Sequence, residues 1–144
     1  MSRSQQLSFV QAIIASITPD SCTEDMDETW EQLRFFLTDN LILAALDLID
    51  RESVIKYNSP WGRVHYEVLG STAMYTVFPE LPSPDPDNLA YCTCPAFAYS
   101  VLISKSQLMC KHVLATLLAE RLQKCVERPI NADQLASLFK RRFS

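Results

Sequence analysis

Two residue pairs, Cys92-x-Cys94 and Cys110-x-His112, stand fifteen residues apart and constrain this 144-residue chain more than any other feature. Zinc takes four nitrogen or sulfur donors in a tetrahedron, with Zn–S bonds of ~2.3 Å. Cysteines at i and i+2 on a strand point to the same face, so Cys92 and Cys94 offer both thiolates to one side. Pro95 keeps Cys94 extended, which fits a ligand at a strand end. The second pair needs a different geometry, because positions i and i+2 of a regular helix point about 200° apart. Cys110 is therefore expected just outside a helix, with His112 in its first turn. A strand pair facing a helix N-terminus in this way is a β-β-α zinc clasp.

Cysteine is also a common small buried hydrophobe, and a lone histidine is more often a core residue than a ligand. Two pairs at matched spacing go beyond that explanation. Five cysteines, an odd number, read as metal ligands and free thiols rather than a disulfide framework. Cys22 and Cys125 have no partner at ligand spacing and are expected to be ordinary thiols, and His65 sits alone in a strand. Met1-Ser2-Arg3-Ser4-Gln5 leads into an amphipathic pattern without an apolar signal core, so an intracellular protein is expected. No apolar run approaches the ~18 residues that would span a membrane.

Four protein donors leave no open position for water, so the expected ion is one structural Zn²⁺. With only Gly62 and Gly70, no glycine-rich phosphate loop can be written. The zinc-deaminase signature, His-x-Glu followed by Pro-Cys-x-x-Cys, is absent. A nucleophile–histidine pair would have to use His65, since His112 is committed to metal, and nothing near His65 suggests activation. The expectation is a zinc-built interaction module and not an enzyme.

Hydrophobic periodicity supplies the rest of the chain. Leu7, Val10, Ile14 and Ile17, joined by Phe9 and Ile13, recur at helical spacing up to Pro19. After an acidic stretch at 21–27, Met26, Trp30, Leu33 and Leu37 line a second helix, and a core helix spans 40–50. The period then shortens. Strands are expected at 53–57, 64–69, 73–78 and 89–94, with a turn at Asn58-Ser59-Pro60-Trp61-Gly62 and a proline-rich surface loop over 79–88. Helices return at 96–103 and 107–126, the second ended by Pro129. Asn131 and Gln134 resemble a capping box for a last helix reaching Arg142. The expected fold is α+β: a small antiparallel sheet with flanking helices and the zinc clasp. Its parts are a helical N-terminus (1–52), a zinc-binding core (53–128) and a C-terminal helix (129–144), all in one domain.

Cys-x-Cys, a spacer, Cys-x-His and an alanine three residues on, here Ala115, resemble the SWIM-type zinc fingers. The run Tyr91-Cys92-Thr93-Cys94-Pro95-Ala96-Phe97-Ala98-Tyr99-Ser100-Val101-Leu102 looks like the short SWIM proteins of the Shu complex. So do Ala45-Leu46-Asp47-Leu48-Ile49-Asp50-Arg51 and Tyr66-Glu67-Val68-Leu69-Gly70-Ser71, and the resemblance covers roughly residues 44–122. It implies that Ala115, Pro95 and Phe97 belong to the motif's packing. It also implies a nuclear subunit that promotes homologous recombination and DNA repair, tied to meiosis. The implied partner is a RecA-like recombinase paralogue, with which such proteins help recombinase filaments assemble or persist on single-stranded DNA.

A formal net charge of −4 argues against DNA as the sole partner, because nucleic-acid binders are usually basic. The competing reading is a finger that binds single-stranded DNA directly. Its support is Arg121, Lys124 and Arg128 at helical spacing, with Lys140, Arg141 and Arg142 nearby. The bland account of such a stripe is a solvated helix face.

Overall fold

Ser2 starts the first helix by a reciprocal cap. Its hydroxyl accepts from the Gln5 N–H at 3.2 Å, and its own N–H donates to Gln5 Oε1 at 2.9 Å. Helix α1 (Arg3–Ala15) buries Leu7, Val10 and Ile14 along one face. Helix α2 (Thr23–Leu33) follows, then a turn that buries Leu37. Helix α3 (Asp39–Asp50) is capped by Thr38, whose hydroxyl accepts from the Leu41 N–H at 3.2 Å, and Asp39 complements the helix dipole in the first turn. The computed structural model describes residues 2–20, 23–58, 64–70, 72–80, 90–129, 133–134, 136–137 and 140.

Four strands pair antiparallel as expected: β1 (Val54–Asn58), β2 (Val64–Leu69), β3 (Met74–Phe78) and β4 (Tyr91–Cys92). The last is shorter than the expected 89–94 because the chain bends at Cys94 ahead of Pro95, so Cys94 lies beyond the strand that holds Cys92. Val54 faces Val68, Tyr66 faces Val77, and Val77 faces Cys92, so these side chains share the core face. The opposite face carries Ile55, His65, Glu67 and Thr76, which are buried as well. A fifth strand, β5 (Val126–Pro129), pairs parallel to β1 with Ile55 opposite Val126, giving the order β4-β3-β2-β1-β5. The class is α+β as expected, and β5 makes the sheet mixed.

Helix α4 (Lys111–Leu122) runs through the middle. It buries side chains on nearly every side and touches α1, α3 and the first four strands. Tyr66 and Lys56 tie it to the sheet through Glu120, with the phenol donating to Oε2 at 2.9 Å and the ammonium to Oε1 at 2.8 Å. The helix expected over 107–126 is corrected at both ends. It begins only after Cys110 and stops at Leu122, because Gln123 takes a left-handed conformation (φ 55°, ψ 43°). The Lys124 N–H then donates to Ala119 O at 2.9 Å, closing a Schellman-type stop without glycine. The helix expected over 96–103 is a π-helix at Phe97–Ile103.

Two arginines fasten α1 to this frame. Arg3 Nη2 donates to Gln107 O at 2.7 Å and to Val101 O at 3.3 Å. Arg121 Nη2 donates to Ala15 O at 2.7 Å and Ile17 O at 2.8 Å, with Nε on Ile17 O at 3.1 Å. Asp133, Gln134, Ala136, Ser137 and Lys140 are helical, whereas the expected cap Asn131 and end Arg142 lie outside the described residues. So do Cys22, most of the turn at 58–62 and most of the proline-rich loop. Among the described residues no helix is long and apolar enough to cross a membrane.

Candidate metal centre

Strand β4 ends at Cys92, and its pairing with β3 continues by side chain and backbone. The Thr93 N–H donates to Thr76 O at 3.1 Å, and the Thr76 N–H donates to Thr93 Oγ1 at 3.0 Å. This holds Cys92 and Cys94 against the end of β3. Pro95 opens the helical turn that leads into the π-helix, where proline's missing N–H costs nothing. The Phe97 N–H donates to Cys94 Sγ at 3.3 Å, and the Phe97 ring, almost fully buried, meets Tyr91 edge-on. On the other side Cys110 is the N-cap of α4, with extended backbone (φ −86°, ψ 168°), and His112 lies in the first turn.

The four side chains converge. One donor atom from each of Cys92, Cys94, Cys110 and His112 lies within 4.8 Å of all the others, and every one of these residues is buried. Donors on a tetrahedron with ~2.3 Å bonds stand ~3.8 Å apart, so small rotations bring them to zinc geometry. Among the described residues neither ring nitrogen of His112 has a hydrogen-bond partner. Leaving a buried polar atom unsatisfied costs about 1–3 kcal/mol, which a metal bond removes. The His112 ring packs on Tyr75 with centroids 4.6 Å apart.

The thiols favour the same answer. Hydrogen bonds from Cys110 and Cys92 hold the Cys94 thiol low, while Cys92, bonded to Cys110 and Cys94 and desolvated, is pushed up. Within this buried space one thiolate discourages the next, and a divalent cation is the group that stabilises three together. The donor set, closed at four, fits one structural zinc. Three thiolates around Zn²⁺ leave the site about one unit negative, so it has no attraction for phosphate.

Ala115 is fully buried one turn beyond His112. Cys125 stands apart, its sulfur 3.9 Å from Glu120 Oε2, and burial pushes its thiol up to about 12. The basic stripe needs correction. Arg121 is on α4 with its guanidinium on α1 carbonyls, Lys124 follows the helix stop, and Arg128 is on β5, so no helix aligns them. Sequence reasoning missed Tyr75 as the wall behind His112, though its place on the face of Val77 and Cys92 follows from strand alternation.

A family profile described as SWIM zinc finger matches residues 75–120, which takes in all four donors. The chain is 41% identical over 113 residues to zinc finger SWIM domain-containing protein 7 of Mus musculus, covering 78% of this chain and 68% of that protein. It is 32% identical to the Danio rerio protein of the same name, over 83% of this chain and 87% of that one. For the Homo sapiens protein the identity is 38%, over 72% and 69% respectively. No solved structure matches the chain. Four buried donors in this order, on these elements, and these relatives agree: the chain belongs to the SWIM zinc finger family, in the group of zinc finger SWIM domain-containing protein 7.

Proposed function

We propose that this chain is a zinc-stabilised interaction subunit, without catalysis of its own, of a Shu-type complex that promotes homologous recombination and DNA repair in the nucleus. Its direct partner in this reading is a RecA-like recombinase paralogue. Through that partner it acts on recombinase filaments, meeting single-stranded DNA only within the complex. The observation that carries the reading is the closed set of four buried donors in a chain of this family. Four donors leave zinc no open coordination position, so the ion serves to fasten β4, and through it β3, to the start of α4. Those elements then present a fixed surface, and binding costs less when the surface is already ordered.

The direct DNA-binding alternative loses its main support, since Arg121 is engaged with carbonyls and the three cations share no helix face. Tagged protein recovered from nuclear extract should co-purify a RecA-like ATPase paralogue, identified by mass spectrometry, and the His112→Ala variant should not. Absence of any such ATPase from the wild-type sample would overturn the reading. Steeply salt-dependent binding of the isolated chain to single-stranded DNA would favour the alternative.

A further inference from the structure

The first helix is apolar on more of its surface than the core uses. Leu7, Val10 and Ile14 are buried, while Phe9, on another face, is 51% exposed. Phe35, in the turn after α2, is 86% exposed. Phe9 stacks on Phe36 with centroids 5.9 Å apart and planes 9° from parallel. With Ile13 and Gln32 these rings line an open concavity of ≈ 550 Å³. Two exposed phenylalanines beside a half-buried third mark a contact surface more often than a solvated one.

The charge around the concavity selects what can enter. Glu28 lies one turn before Gln32 on the same face of α2, Glu31 is the chain neighbour of Gln32, and both are exposed. Residues 20–31 hold six acids and no base. The next cation, Arg34, is paired with Asp39 at 2.9 Å. A phosphate backbone or an anionic membrane would meet like charge here. A second copy docked face to face about a two-fold axis would set acid against acid.

We propose that the Phe9–Phe35–Phe36 concavity binds an amphipathic segment of a partner protein, with an apolar side chain between the rings and lysines or arginines beside Glu28 and Glu31. This goes beyond the function proposed above. The surface belongs to elements that carry no zinc ligand, and any basic amphipathic segment satisfies it, whatever protein supplies it.

The test uses the full, zinc-loaded chain and two fluorescein-labelled helical peptides of about 18 residues, leucines along one face and either lysines or glutamates along the other. The lysine peptide should bind saturably at one per chain, and the glutamate peptide should not. Phe35→Ser, and separately the Glu28→Lys, Glu31→Lys pair, should each weaken binding on the order of ten-fold or more while zinc content stays the same. Phe35 is exposed enough that its loss should leave the fold intact, and the wild-type thermal midpoint checks this. Equal binding of both peptides, absence of saturable binding, or unchanged affinity in either variant would overturn the proposal. A concentration-dependent dimer abolished by Phe35→Ser would overturn it too, by assigning the surface to a second copy.

Discussion

His112 is held from two sides, by three thiols in front and by the Tyr75 ring behind. Removing a donor therefore leaves a gap that no neighbouring group can fill. Cys94→Ser or His112→Ala should release zinc, measured by a chromophoric chelator, whereas Cys125→Ser should keep one zinc per chain. Zinc loss from Cys125→Ser would show that the ligand set is misassigned. Gly70 reaches the same ring from the other end: a Cβ there would sit 2.7 Å from Tyr75 Cε2 and 3.0 Å from Ala73 O. The ring, which packs on the His112 imidazole, must then shift. Gly70→Ala should lower stability by about 1–3 kcal/mol, as overpacking does, and raise the rate of zinc transfer to a competing chelator. Unchanged transfer would separate Tyr75 from the metal. At Ala115 there is likewise no space, since it is fully buried on α4. Ala115→Leu or Ala115→Thr should weaken partner binding, while Gln123→Ala, at an exposed helix stop, should not weaken it. Equal affinity for the three variants with zinc intact would remove any special role for Ala115.

At the scale of elements, Arg121 shows how a basic residue can serve the fold instead of a ligand. Its three hydrogen bonds reach carbonyls that the end of α1 leaves without helical partners. Charge-assisted bonds of this kind contribute about 1.5–3 kcal/mol, so Arg121→Ala should lower the urea midpoint accordingly while zinc content is kept. If stability is unchanged and single-stranded DNA binding falls instead, the nucleic-acid reading of Arg121 stands. This partnership was not legible in the sequence, because Arg121 and Ile17 are brought together only by the packing of α1 on α4. Strand β2 was legible to the residue, since Val64, Tyr66 and Val68 alternate with polar neighbours. The metal pairs were legible for a similar reason: their spacing is itself geometry. Strand β5 was not, because the helix stop before it uses Gln123 where glycine or asparagine would have announced one. At the π-helix the apolar spacing predicts an ordinary helix, because it does not distinguish an i→i+5 ladder from i→i+4. The Ser104 N–H to Tyr99 O bond at 2.8 Å is of the longer kind.

In the whole molecule the zinc ligands and the hydrophobic core meet in α4, whose first turn holds His112 and whose length touches α1, α3 and strands β1 to β4. Structural zinc contributes about 10–16 kcal/mol in finger peptides, comparable to the ~5–15 kcal/mol net stability of a whole domain. If the metal held only a local loop, chelation would free residues 91–118 and leave the N-terminal helices folded on the sheet. The connections argue for a wider effect. Arg3 holds α1 to the segment after the π-helix, Arg121 holds its other end to α4, and α3 lies against α4. Once the first turn of α4 is released, each of these contacts loses its rigid side. Chelation should therefore lower amide protection from hydrogen exchange in α1 and α3 together with α4, in one cooperative step, and restoring zinc should recover all three. The alternative outcome is as definite. Protection kept in α1 and α3 while residues 91–118 exchange freely would mean that the core stands without the metal, and that zinc orders only the surface built around the clasp.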